Sequence, residues 1–228
     1  MLSPLQEQVA AIIASLEEAE GFALAGGAAL IARGDVHRQT RDLDFFGPTT
    51  DAVDRLVPAV DRALRDAGLA VHHIQENPGF ARMVVESGDD RTELDLGADA
   101  RLFPADPGPP APMLSGEELA VDKVLALFGR AEARDFVDLM ALEPRYGLER
   151  LCELALQKDL GFDPRVFADV LARFDRLRRD EFELDDNQYE RLRGEAAQWR
   201  ERTIELARRQ ERARDLGEGR GPNLGREF

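Results

Sequence analysis

The sequence predicts an α+β protein: a small mixed sheet flanked by helices, followed by an all-helical C-terminal half. Three observations carry the prediction. Short segments with alternating apolar and polar residues fall between residues 22 and 96, the period of half-buried strands. "FPADPGPPAPM" (103–113) is a stiff, proline-rich connector, the best boundary in the chain. Beyond it the apolar residues recur at helical spacing. The expected organisation is therefore an α/β core over 1–110, a helical domain over 111–216 and a flexible tail over 217–228.

Each element has its own signal. Leu5, Val9, Ile12, Ile13 and Leu16 make the stripe of an amphipathic helix over 4–19, ended by Gly21. Phe22 to Ala25 reads as a short strand closed by Gly26-Gly27, and Ala28 to Arg33 as a short helix. Asp42 to Phe46 alternates like a strand and stops at Gly47-Pro48. Thr49 or Thr50 then caps a helix to about residue 67, which Pro58 is expected to kink or split. Ala70–Gln75, Phe80–Glu86 and Arg91–Leu96 are strands, the last two joined as a hairpin through Ser87-Gly88-Asp89-Asp90. After the connector, Ser115-Gly116-Glu117-Glu118 opens a helix bearing Lys123, and Asp163-Pro164 opens another. Asn187 to about Arg214 is a long charged helix.

Composition narrows the function classes. A chain of 228 residues, 43% hydrophobic, can bury a core. Cys152 is the only cysteine, so no intramolecular disulfide forms, and a reducing compartment fits. The first twenty residues carry four glutamates and no Lys or Arg, unlike a signal peptide, and Phe22 to Ala32 is too short to span a bilayer. A cytoplasmic protein without membrane contact is expected. The net charge of −15 argues against broad nucleic-acid binding, DNA included. Residues 1–172 hold 16 basic and 31 acidic side chains, whereas 173–228 hold 14 of each. The Arg-rich end is either a solvated helical surface laced with ion pairs or a local positive face for a phosphate-bearing partner. Against 28 arginines there are two lysines, Lys123 and Lys158, so a retained Lys suggests a need for a compact ammonium.

The chemistry concentrates in "FALAGGAALIARGDVHRQTRDLDFF" (22–46). A strand's period of two puts Asp42 and Asp44 on one face, about 7 Å apart at Cα, with Leu43 and Phe45 on the other. Two such carboxylates repel unless a cation lies between them, and Mg²⁺ is the natural occupant. "RTELDLG" (91–97) repeats the arrangement with Glu93 and Asp95, either of which could be a third carboxylate; Asp95 is preferred for its shorter side chain. Gly26-Gly27, between strand and helix, lets backbone N–H groups approach phosphate oxygens. Together these make a metal–nucleotide site.

These residues resemble the signature of the DNA polymerase β-like nucleotidyltransferases, and more narrowly the AbiEii/AbiGii (MenT-like) toxin-type branch. Arg38, Thr40, Asp42, Leu43, Asp44 and Phe45 match its Arg-x-Ser/Thr-x-Asp-Leu-Asp-Phe motif. "DKVLALFGRAEARDFVDLMAL" matches its downstream helical motif at Lys123, Arg130, Arg134, Asp135, Asp138 and Leu139. On one continuous helix, Arg130, Arg134 and Asp138 would share a face with Lys123 near it, Gly129 being the one interruption.

The resemblance implies a nucleotidyltransferase-type fold and a Mg²⁺-dependent enzyme, with Mn²⁺ as a substitute ion. Asp42, Asp44 and Asp95 would be metal-binding and, with Lys123, catalytic. Gly26, Gly27, Arg38, Thr40, Lys123, Arg134 and Asp138 would hold the nucleoside triphosphate, Asp135 being read as structural. It further implies transfer of a nucleoside monophosphate to the 3′ end of tRNA by a toxin with a cognate antitoxin. Alternatives are nucleotidylation of a protein or an antibiotic-like small molecule, which suits the acidic surface, and a silent acidic binding module. His37, His72, His73, Tyr189, Trp199 and Cys152 are assigned no role in the chemistry.

Overall fold

In the computed structural model, which describes residues 1–218 and the side chains of 1–212, Ser3 opens α1 (Pro4–Ala14) with a full capping box. Its hydroxyl accepts from Gln6 N–H while Gln6 Oε1 accepts from Ser3 N–H. Ser15 turns its hydroxyl onto the Ile12 carbonyl and ends the helix, leaving a separate 3₁₀ turn over Glu17–Ala19. The single helix expected over 4–19 is thus divided.

The chain forms two compact units, Met1–Asp122 and Lys123–Phe228. In the first, β1 (Ala23–Ala25) leads directly into α2 (Gly26–Arg33), so both glycines belong to the helix rather than to a turn before it. There follow β2 (Asp42–Gly47), α3 (Thr50–Asp66), β3 (Ala70–Asn77), β4 (Phe80–Ser87) and β5 (Asp90–Ala98). Thr49 caps α3, which runs through Pro58 without a break. Pro58 and Asp54, whose carbonyl loses its helical partner there, are both exposed, so the missing bond lies where solvent reaches it.

The five strands lie in the order β1-β2-β5-β4-β3, with β2 and β5 parallel and the other pairs antiparallel. One face is apolar: Leu43, Phe45, Ala81, Met83, Val85, Leu94 and Leu96 are all buried. α1 and α3 pack on the sheet and on each other, with Val9, Ile13, Leu56, Val60 and Leu64 buried between them. The opposite face carries Asp42, Asp44, Glu93, Asp95 and Arg82, each partly accessible. The sheet therefore separates a dry core from the face on which carboxylates collect.

α4 (Gly116–Gly129) starts in the first unit, where Ser115 Oγ accepts from Glu118 N–H. The Glu118 carboxylate is buried and accepts from the N–H groups of Leu102 and Phe103, tying down the connector. The second unit adds α5 (Ala133–Tyr146), α6 (Leu148–Lys158), α7 (Pro164–Leu171) and α8 (Asp186–Glu218). Asp163 caps α7 with Pro164 at its first position. α5, α6 and α7 all pack on α8. Trp199 and Cys152 are buried in this unit, and Tyr189 joins Phe174 and Phe182 in an aromatic cluster. Burial pushes the Cys152 thiol up to about 12. Of the expected tail over 217–228, the part from residue 219 lies outside the described residues.

Candidate active site

The strand β2 presents its side chains alternately, so Leu43 and Phe45 go into the core while Asp42 and Asp44 stay accessible. Registration with β5 sets Asp42 beside Glu93 and Asp44 beside Asp95. β4 then sets Arg82 beside Asp95, and β1 sets Ala25 beside Asp44. Ala25, Asp44, Asp95 and Arg82 thus form one lateral row across four strands, each about 4.8 Å from the next. Four carboxylates share this face.

Gly26 fits the row closely. A Cβ on it would come 2.0 Å from Asp44 Oδ2, and its φ is +59°, so only glycine lets the carboxylate lie against this backbone. Gly27 stands in the same relation to Arg38: a Cβ there would meet Nη2 at 2.6 Å. Both sequence-predicted glycines are therefore in contact range of predicted site side chains.

The segment before β2 is held from two sides. Gln6, buried on α1, donates through Nε2 to the Thr40 carbonyl at 3.0 Å. Thr92, buried on β5, donates through Oγ1 to the Arg41 carbonyl at 2.8 Å, and Glu93 N–H reaches that carbonyl at 2.9 Å. The Thr40 hydroxyl lies 3.4 Å from Asp42 N. Gln6 and Thr92 were not singled out in the sequence; the Ser3-x-x-Gln6 capping pattern is the only local trace of Gln6, and neither role is visible without the fold.

Asp95 does not stand open to a ligand. Arg82 grips it with both arms of the guanidinium, Nε to Oδ1 at 2.7 Å and Nη2 to Oδ2 at 2.6 Å. The Asp95 hydrogen bonds, followed by the charges of Asp95, Glu93 and Asp42, hold Arg82 above the ordinary guanidinium range against a smaller effect of burial. Arg82 was also missed, although the hairpin makes it findable: Ser87 pairs with Asp90, so stepping five residues out along each strand gives Arg82 and Asp95. Among the described residues, no three His, Cys, Asp or Glu side chains are gathered as a ready metal site. The donor chemistry nonetheless fits a hard divalent cation, since the face offers carboxylate oxygens alone and Gly26 leaves room for one of them.

The downstream motif forms its own cluster within the second unit. The helix is interrupted after Gly129, where the sequence marked its one interruption: the chain breaks between α4 and α5, turning at Ala131 with φ +53°, so Arg130 does not share a continuous helix face with Arg134 and Asp138. Arg130 falls in that break. The break brings Lys123 back onto α5, where its ammonium, 7% exposed, pairs with Asp135 at 3.1 Å and Asp138 at 2.9 Å. Arg130 adds a two-armed pair to Asp135. Burial works to raise the Asp135 carboxyl, yet Arg130 and Lys123 outweigh it and hold Asp135 below its usual range. Arg134 donates to Glu132 at 2.8 Å. Elsewhere, His72 lies 3.4 Å from Glu86, and His73 bridges Asp61 and Glu76 at 3.0 and 3.3 Å. No described helix is long and apolar enough to cross a membrane.

Residues 9–217 match the family model for the nucleotidyl transferase AbiEii toxin of type IV toxin–antitoxin systems. No curated protein matches the chain in sequence. Among solved structures, JHP933 from Helicobacter pylori superposes with a TM-score of 0.54 at 18% identity, covering 96% of this chain and all of its own. A second H. pylori structure, of a "putative nucleotidyltransferase", gives 0.50 at 20% identity, covering 93% of this chain and 99% of its own. At these identities the likeness is one of fold.

Proposed function

The chain belongs to the AbiEii family of nucleotidyltransferase toxins from type IV toxin–antitoxin systems, and on that premise we propose that Asp42, Asp44 and Asp95 form its catalytic centre. The ion we assign to them is Mg²⁺, with Mn²⁺ as a substitute. The acceptor we assign is the 3′-terminal hydroxyl of tRNA, reached in the cytoplasm, where a cognate antitoxin counters the enzyme. One observation carries the reading: the registered row of Asp44 and Asp95, with Asp42 on the same face and Asp44 seated on Gly26.

A divalent ion bound there supplies charge neutralisation at the triphosphate. The chain's own residues do the rest. The backbone at Gly26 and Gly27, at the start of α2, admits phosphate oxygens closely, and the helix N-terminus favours their charge. Arg38 and Thr40 orient the phosphates. Asp95, once released from Arg82, takes the proton of the acceptor hydroxyl. The hydroxyl oxygen then bonds to the α-phosphorus, the bond to the α–β bridging oxygen breaks, and pyrophosphate leaves. Lys123, Arg134 and Asp138 are assigned to the nucleotide because they match the family's downstream motif; Asp135 anchors Lys123.

The net charge of −15 favours a second reading of the acceptor, a protein or a cationic small molecule. Incubation with Mg²⁺, each labelled nucleoside triphosphate and bulk tRNA separates the two. Label on tRNA with the wild type but not with Asp42→Ala supports the first reading. Label on protein or on a small acceptor supports the second. No transfer to any acceptor, with no metal-dependent nucleotide binding, overturns both.

A further inference from the structure

We propose that Arg82 is a resident cation of the carboxylate face and sets how tightly the site takes up a divalent ion, because Asp95 must exchange Arg82 for that ion. This rests on the reading of Asp42, Asp44 and Asp95 as the metal-binding row. The physical case starts from charge. Asp42, Asp44, Glu93 and Asp95 lie on one sheet face within two neighbouring strands, and like charges so placed raise one another's energy unless a cation intervenes. The nearest strand supplies one. Arg82 stands directly across from Asp95 and meets both of its oxygens at 2.6 and 2.7 Å, the planar fork that a guanidinium makes with a carboxylate and an ammonium cannot.

Two features make Arg82 a displaceable occupant rather than a fixed strut. Its side chain is 42% exposed while that of Asp95 is 13% exposed, so the guanidinium can leave into water and the carboxylate stays. The Phe80 ring, two residues back along β4, lies 5.8 Å from the guanidinium carbon and offers it a second resting face. A divalent ion and the two-armed guanidinium compete for Asp95, because their charges repel and the fork occupies lone pairs on both carboxylate oxygens. Uptake of the ion and release of Arg82 are then one exchange, and the affinity measured for the ion includes the loss of the fork. Arg82 is in this sense a positioning residue, acting on the chemistry through Asp95.

Binding of Mn²⁺ to the full chain, followed by the loss of the free-ion resonance signal, tests this without an activity assay. Arg82→Gln should bind Mn²⁺ roughly tenfold more tightly than the wild type. Arg82→Lys, which keeps the charge and loses the fork, should fall between them. In an Asp95→Asn background, where the contested oxygen pair is gone, Arg82→Gln should gain threefold or less. Binding that is unchanged or weaker in Arg82→Gln overturns the proposal, and so does a full gain that persists without Asp95, which would make Arg82 a distant charge only. Should Arg82→Gln fail to fold, a Lys variant no tighter than the wild type overturns it equally. If the wild type binds and the variants bind no better, only the role of Arg82 falls. If neither the wild type nor Arg82→Gln binds, the metal-site reading falls with it.

Discussion

Gly26 and Asp44 depend on each other at the atomic level. The carboxylate occupies the volume where any side chain at 26 would begin, and the backbone there sits at a positive φ. Gly26→Ala should therefore turn Asp44 out of the row. We expect nucleotide transfer to fall at least ~100-fold, the usual cost of misplacing a catalytic group, with the far-ultraviolet circular dichroism unchanged. Retained activity would show that Asp44 tolerates another rotamer. At this scale much of the site was legible, since Asp42, Asp44, Gly26 and Gly27 announce themselves as residues a core strand would not choose. Arg82 was not, because nothing adjacent to it in sequence marks it, and its meaning comes from the strand opposite. The break falls directly after Gly129, the one interruption marked in the sequence, but its sharpness was not legible. Ala131 holds a left-handed conformation that alanine disfavours by about 1–2 kcal/mol, so local preference argued for the continuous helix that the fold overrides.

Among the elements, the hairpin of β4 and β5 was readable from its turn, and its register does the decisive placing. The helical unit adds charge pairs between helices to its apolar packing. Arg202 on α8 reaches Glu143 on α5 at 2.7 Å and Glu149 on α6 at 2.5 Å. Hydrogen bonds from Arg202 hold the Glu149 carboxyl down to about 2, from an ordinary value of 4.5, against a smaller opposing effect of burial. A depressed carboxyl contributes stability that is fully present above its unfolded value and is lost as the pH falls through its folded one. The contribution of Glu149 is thus complete above about 4.5 and disappears toward 2. Glu149→Gln should lower the melting temperature at pH 7, and its difference from the wild type should shrink between pH 4.5 and 2. A difference that is constant with pH would mean the pair contributes through packing alone. Sequence charge patterning suggested i,i+4 pairs on this surface; the pairs that join helices across 50 or more residues could not be read from spacing.

Taken whole, the molecule puts the carboxylates assigned to the catalytic centre on two strands that are neighbours in the sheet and distant in the chain, with α3, β3 and β4 between them. A parallel pair needs such a crossover, and that is why the third carboxylate was the least determined part of the sequence reading. The registers beside Asp42 and Asp44 bring both Glu93 and Asp95 to the face, and Arg82 pairs with Asp95. The acidic net charge of −15 limits any RNA contact to a local one. The central claim is that this face performs the nucleotidyl transfer. Pyrophosphate release from nucleoside triphosphate, in the presence of Mg²⁺ and bulk tRNA, tests it most directly when the wild type is compared with Asp44→Asn. The rate should fall ~1,000-fold or more in Asp44→Asn, with the melting temperature held within a few degrees. A folded Asp44→Asn protein that releases pyrophosphate at the wild-type rate would contradict it.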